Sequence, residues 1–286
     1  MEMEAAETRM ENRRKFLERE CNNLPRGISS PNAWEYLINR QYHLIWCNVF
    51  KAASSSWMYN FNLMANYSTR FLERSREVPL VLARRRYPRP SVQDLKEAQN
   101  TSTTFLIVRH PFERLSSAYK DKLQFALPNS LHSRLGMKII LKYRPGAKKR
   151  TIAEPRWPSF EEFVRYLLDE VRAGRDLDMH WVPYTTFCTP CHIHFDVVAK
   201  FETLQEDQNY LIQKAGLHDI IKPQWKNSGK GRNTATLLLT HYSQLTTKQI
   251  WGLYNLYLYD FTLFNYTVDA FLEVAKDYNP KHLPPT

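Results

Sequence analysis

The sequence predicts an α/β fold with a mainly parallel central sheet flanked by helices. Three observations lead there. Short apolar runs of strand length alternate with segments of helical periodicity. Two of these runs pass through a short polar loop straight into a helical pattern. The 286 residues are 43% hydrophobic with only 8 glycines; that is enough apolar material for a domain-sized core, and the composition is neither collagenous nor low-complexity.

Residues 1–30 read as a polar helix ending in the breaker "NNLPRGISSPN", a solvated N-terminal arm or stem remnant ahead of a main domain over 31–286. "YHLIWCNV" (42–49) reads as a buried strand, with His43 inside it in a structural role. The loop "FKAASSS" and the helix "WMYNFNLM" follow. Residues 70–100 form a basic run broken by prolines. Its Arg84-Arg85-Arg86 cluster reads as solvated surface, with a groove for an anionic chain as the alternative. Residues 105–108 are the second strand, and Pro111 suits the first turn of the helix after it. Phe112, Leu115, Tyr119 and Leu123 give that helix an apolar stripe.

Residues 128–158 lack clear periodicity and read as a long basic loop. Ser159 and Glu162 have capping-box spacing for a helix that Gly174 stops. "FDVVAKF" (195–201) is the third strand and leads into a helix ending near Gly216. "KPQWKNSGKGRNT" reads as a flexible basic loop, and helices follow around 246–258 and 267–276. No solenoid-type repeat is present.

The formal net charge of +11 predicts a polyanionic partner: nucleic acid, anionic lipid or acidic polysaccharide. No nucleic-acid motif supports the first. No apolar run approaches the roughly 20 residues of a membrane span, and the charged N-terminus lacks a signal-peptide core. The chain therefore reads as soluble, or as starting downstream of an anchor. Sequons begin at Asn66, Asn100 and Asn265, a weak pointer to the secretory route. Cys21, Cys47, Cys188 and Cys191 permit disulfides without requiring them.

The two strand–loop–helix units hold the chemistry. Ligands of open parallel sheets sit beyond the C-terminal strand ends, where loop N–H groups and helix N-termini attract anions. "FKAASSSW" offers a cation at Lys51 and hydroxyls at Ser54, Ser55 and Ser56, without the glycines of a Walker A loop. A serine-rich helix start with an incidental lysine is the plainer reading of the same residues. In the second unit Arg109 leaves the strand, and Ser116 and Ser117 lie about two turns into the helix. Guanidinium plus hydroxyl suits a phosphate monoester. Two such sites on neighbouring strands point to a nucleotide with two separated phosphate groups.

"FKAASSSW" and "RHPFERLSSAY" together resemble the 5′- and 3′-phosphate-binding motifs of the Golgi carbohydrate sulfotransferases, the group acting on chondroitin, dermatan and HNK-1-type glycans. "HWVPYTTFCTPCHIHFDVVAKFETLQED" and "YLYDFTLFNY" resemble further blocks of that family, in the right order over roughly residues 40–267. The chain departs from the pattern at Phe50, where proline is usual, at Ser54-Ser55 for Cys-Thr, and at His110 for glutamate. The family's N-terminal membrane anchor has no counterpart here.

The resemblance implies a P-loop-like three-layer sandwich and 3′-phosphoadenosine-5′-phosphosulfate as donor. By position, Lys51, Ser55 and Ser56, with Ser54 beside them, would hold the 5′-phosphosulfate. Arg109 and Ser117 would hold the 3′-phosphate, and Arg232 and Thr234 would close over the nucleotide. Lys51 would stabilise the leaving phosphate. His180 is the candidate general base, with a core or substrate-contact histidine as the alternative. This chemistry needs no metal. The acceptor would be an anionic glycan, of chondroitin/dermatan type or containing N-acetylgalactosamine, and nucleic acid is not expected as a partner. The family is anchored in the Golgi membrane in type II orientation. A non-catalytic acidic-polysaccharide-binding relative is the alternative function. "CTPCH" is open to haem, zinc or redox readings; a structural disulfide or two buried thiols is preferred, and the family's own C-x-P-C favours it.

Overall fold

A computed structural model of the chain describes residues 2–25, 27, 29–146, 155–221 and 231–279, with backbone alone at 2 and 231–236. Most of the basic loop at 222–234 and part of the loop at 128–158 thus lie outside the described residues. The fold is α/β, with a mostly parallel four-stranded sheet flanked by helices. The chain forms two compact units: residues 1–110, 182–228 and 262–264, and residues 111–181, 229–261 and 265–286.

The first unit contains the sheet. Strand β1 (Tyr36–Asn39) pairs antiparallel with β2 (Leu44–Cys47), and β2, β3 (Thr103–Val108) and β4 (Val197–Lys200) run parallel in that order. These strands are almost wholly buried, as continuous apolar runs in a covered sheet should be. The sequence reading misses β1 because "EYLINR" is short and polar at both ends. It also extends β2 too far. His43 lies in the β1–β2 turn with φ of 48°, so its placement inside a strand is corrected.

Helix α1 (Glu2–Asn23) is not a solvated arm. Ala6, Met10 and Leu17 are buried along one face. Arg9 and Arg13 reach the buried carboxylate of Asp207, and Cys21 is bonded to Cys191. Three buried apolar positions in 22 residues are too few to register as a stripe, yet they suffice to seat the helix. Helix α2 (Ser54–Met64) packs Trp57 against Phe105 and Phe61 against Trp46 of the sheet, with ring centroids 4.6 and 5.4 Å apart.

The proline-broken run holds three helices: α3 (Thr69–Arg74), α4 (Pro79–Arg86) and α5 (Val92–Gln99). Pro79 opens α4 rather than breaking it, and Ser91 with Asp94 forms the capping box of α5. After β4, helix α10 (Leu204–Lys214) ends as expected before Gly216, whose φ is 63°. The short α9 (Tyr184–Phe187) belongs to this unit as well.

The second unit is helical. Helix α6 (Pro111–Tyr119) buries Phe112, Leu115 and Tyr119 and runs on as one π-helical turn, Lys120–Gln124, which buries Leu123. Residues 128–158 are not a continuous loop, for α7 (Leu131–Tyr143) occupies their first half. Gly136 disguises it. A Cβ there would stand 3.3 Å from Pro158, so close packing, not helix propensity, selects glycine. Helix α8 (Phe160–Arg172) has the expected Ser159–Glu162 capping box and stops at Gly174. Helices α11 (Gly231–Tyr242), α12 (Thr247–Leu256), α13 (Leu258–Leu263) and α14 (Asp269–Leu272) complete the chain. An aromatic core of Phe112, Phe160, Phe163, Trp181, Tyr242, Phe261 and Phe271 joins them. Among the described residues no helix is long and apolar enough to cross a membrane.

Candidate active site

Strands β2 and β3 are neighbours and parallel, so their C-terminal ends open on the same edge of the sheet. After Cys47 the chain turns through residues 48–53 and enters α2. Lys51 and Ala53 adopt left-handed backbone with φ of 69° and 58°. Such strain costs on the order of 1–3 kcal/mol per residue and is kept only where surroundings enforce it. The surroundings here are a Cys47–Cys188 disulfide at the loop's base and an edge contact of Phe50 with Phe187. The carbonyl of Ala53 accepts from the N–H groups of Ser56 and Trp57, closing the first turn of α2.

Ser54, Ser55 and Ser56 are therefore the first three residues of an 11-residue helix, where backbone N–H groups and the helix dipole favour an anion. Beside them Asn48 is fully buried, and neither polar atom of its side-chain amide has a partner. An orphaned buried amide is rare, and both of its polar atoms are shielded from solvent. Lys51 and the helix start fit the charge of a phosphosulfate.

Arg109 follows β3 and is 9% exposed. Its guanidinium lies 4.3 Å from the centre of the Phe201 ring. The Tyr184 hydroxyl accepts from the Arg109 N–H at 2.9 Å and lies 3.1 Å from the Arg109 carbonyl, to which it donates. The next N–H, of His110, donates to Glu202 at 2.9 Å. Backbone and side chain are thus fixed from separate elements. Lys51, Ser54, Ser55, Ser56 and Arg109 are brought to one edge of the sheet.

Ser117 and His180 belong to the second unit. Ser117 is half-buried on α6, whereas Ser116 is buried and bonded to His241 Nδ1 at 2.8 Å. Of the two serines, Ser116 is thus committed to the core contact. Burial pulls the His241 imidazole down to about 4, with Lys120 adding to the effect. The side chain of Arg232 lies outside the described residues, and so does that of Thr234.

His180 is buried beside Trp181, and its Nδ1 lies 2.6 Å from Asp178 Oδ1. Asp178 also accepts the His180 backbone N–H at 2.9 Å and faces His132 Nε2 at 3.1 Å. Burial alone would raise the Asp178 carboxyl, but the bonds from His132 and His180 hold it far below the usual carboxylate range. Burial lowers the His180 imidazole, and its bond to Asp178 offsets part of that. With its proton on Nδ1 facing the carboxylate, the neutral ring keeps Nε2 as its basic nitrogen. One ligand atom from each of His132, Asp178 and His180 lies within 4.8 Å of the others, a spacing that would also admit a divalent metal ion.

The sequence misses three residues here. Tyr184 sits inside a quoted motif but looks like an ordinary aromatic position. Asp178 stands two residues before His180, a spacing that a search for a histidine's carboxylate partner would find. His132 offers no signal, because the contact to Asp178 comes from α7, which the sequence reads as loop. The cysteines also need correction. Cys188 and Cys191 are not paired with each other, since the disulfides are Cys21–Cys191 and Cys47–Cys188. With all four sulfurs bonded, thiolate-based haem, zinc and dithiol readings of "CTPCH" fall away.

The model of the Sulfotransferase family matches residues 34–267. Carbohydrate sulfotransferase 11 of Mus musculus is 32% identical over 255 residues, covering 87% of this chain and 72% of that protein. Carbohydrate sulfotransferase 9 of Homo sapiens is 32% identical over 274 residues, 91% of this chain and 60% of that protein. Carbohydrate sulfotransferase 10 of Gallus gallus is 35% identical over 191 residues, 64% and 51% of the two chains. No solved structure matches the chain.

Proposed function

The chain belongs to the sulfotransferase family, and from that premise we propose that this enzyme moves a sulfuryl group from 3′-phosphoadenosine-5′-phosphosulfate to a glycan hydroxyl. The observation that carries the donor assignment is the strained, glycine-free loop at 48–53, which leads Lys51 into a serine-rich helix start. Arg109, on the adjacent strand end, supplies the second cation that a donor with two separated phosphates requires. The parallel strand–loop–helix arrangement supports a P-loop-like sandwich.

Lys51, Ser54, Ser55 and Ser56 take the 5′-phosphosulfate, Arg109 and Ser117 take the 3′-phosphate, and Arg232 with Thr234 closes over the nucleotide. In the reaction the acceptor oxygen forms a new bond to sulfur while the bond from sulfur to the phosphate oxygen breaks. Charge grows on that leaving oxygen, where Lys51 stabilises it. The hydroxyl proton passes to His180, which Asp178 holds in the required tautomer. The acceptor is an anionic glycan of chondroitin/dermatan type or one containing N-acetylgalactosamine, in keeping with the relatives' names and the +11 charge. Two disulfides support work in an oxidising compartment, the Golgi lumen, with a type II anchor as in the family it resembles.

The deciding experiment incubates the protein with radiolabelled donor and a panel of glycosaminoglycans, followed by disaccharide analysis. Label in one defined disaccharide is expected. Folded protein that transfers to no acceptor would overturn the catalytic reading in favour of a glycan-binding relative.

A further inference from the structure

The cluster Arg84-Arg85-Arg86 meets three different fates. Arg84 is nearly buried and donates to the Tyr36 carbonyl at 2.7 Å and to Glu35 at 3.1 Å. Arg85 pairs with Glu77 on the surface. Arg86 has no carboxylate partner among the described residues, and it lines a cleft of about 520 Å³ with Arg40 and Arg89. The cleft is bounded by the β1–β2 turn, the C-terminal end of α2, and the segment from Arg86 to Pro90. Asn39 and Tyr87 are its buried part, tied by a 3.0 Å bond from the Asn39 amide to the Tyr87 hydroxyl.

The charges do not cancel. Glu35 alone answers both Arg84 and Arg89. Asp94, the one carboxylate on the lining, accepts bonds from Ser91 in the capping box of α5. On the lining itself three arginines (Arg40, Arg86 and Arg89) thus face one carboxylate (Asp94), and counting the Arg84–Glu35 pair behind Arg89 leaves the same excess of two positive charges. Two of the guanidiniums are also held by aromatic rings. Arg89 lies 4.4 Å from the centre of Trp34, and Arg86 lies 5.9 Å from that of Tyr67. A guanidinium oriented in this way loses less freedom when it grips a planar or tetrahedral anion.

The cleft and the 48–53 loop lie at opposite ends of α2, about 16 Å apart along 11 residues at 1.5 Å each. It is therefore no part of the donor site. We propose that this cleft is a second binding site, for the sulfated or carboxylated stretch of a long acceptor chain. It rests on the glycan reading above. Its occupant is a polyanionic polysaccharide that reaches the reacting centre with one segment and this cleft with another. Charge complementarity to the +11 chain favours it.

The test uses Arg40→Glu/Arg86→Glu, and Arg40→Gln/Arg86→Gln in case charge reversal impairs folding, with Asn66 unmodified because it lines the same cleft. Neither arginine touches the donor site, so donor affinity and turnover on a short oligosaccharide should stay unchanged. KM for a long sulfated chain should rise about tenfold, equivalent to about 1.4 kcal/mol. Binding of the same chain without donor, followed by fluorescence, should weaken equally and lose salt dependence. Weakened chain binding in a protein that transfers sulfate to nothing would sink the catalytic reading and leave this site standing. Unchanged long-chain binding, equal losses on short and long acceptors, or a matching loss on anionic phospholipid vesicles would overturn the proposal.

Discussion

Asp178→Asn separates a catalytic His180 from a merely buried one. The wild-type carboxylate accepts Nδ1–H of His180 at 2.6 Å, its backbone N–H at 2.9 Å, and faces His132 at 3.1 Å. Burial pulls the His180 imidazole below its ordinary value of 6.5, Asp178 pulls it back up, and Lys122 and His132 push it down. The amide keeps the shape and deletes the only upward pull among these groups. His180 therefore becomes less basic. A base works only when unprotonated, so activity is present above the pKa of His180 and is lost as pH falls through it. The acid limb of kcat should consequently move to lower pH in the variant. General-base catalysis supplies about 10²–10⁴-fold. Asparagine no longer fixes the proton on Nδ1, so kcat on the plateau should fall by about one to two orders within that range. The assay is kcat against pH from acid to neutral, with donor affinity measured alongside and expected to be constant. An acid limb that stays in place or moves upward, with kcat intact, would refute the assignment of His180 as base.

Lys51→Ala should cut kcat by roughly 100- to 1000-fold in the transfer assay while donor affinity changes far less. Arg109→Ala should do the opposite, weakening donor binding by calorimetry about 10- to 100-fold, the worth of a charge-assisted contact; intact affinity would contradict its phosphate role. Cys47→Ser/Cys188→Ser opens a bridge between residues 141 apart and should cost about 2–5 kcal/mol in denaturant unfolding. His241, held near 4 against 6.5 when unfolded, disfavours protonation of the native state. Its contribution is complete above about pH 6.5 and is lost progressively down to about pH 4, a difference of about 3 kcal/mol. His241→Gln should flatten that slope, and an identical slope would refute the account.

Much of the scaffold is legible because buried parallel strands are continuous apolar runs. "LIWC" and "FLIV" declare themselves, and so do the loops leaving them, where cations and hydroxyls stand out against apolar neighbours. Features dictated by tertiary contact are harder to read. Helix α7 hides behind Gly136, whose reason is Pro158 twenty-two residues on. The face of α1 is seated by Asp207 and Cys191, far away in sequence. Cysteine spacing invites a local Cys188–Cys191 bond, whereas each sulfur instead meets a partner more than 100 residues upstream. In the candidate site the charged residues are legible, and the neutral groups that hold them are not. Tyr184 acquires meaning only when its hydroxyl is seen holding the Arg109 backbone.

The two disulfides also impose an order of events on biosynthesis. Cys21 and Cys47 leave the ribosome long before Cys188 and Cys191, and until then the only pairing open to them within this chain is with each other. A bridge formed at that stage would have to be exchanged before the native Cys21–Cys191 and Cys47–Cys188 pairs could close. A chain carrying that bridge matures only with a disulfide-shuffling catalyst as well as an oxidant. Expression in a host compartment that offers only the oxidant should accumulate a species cross-linked between residues 21 and 47, recognisable by peptide mapping.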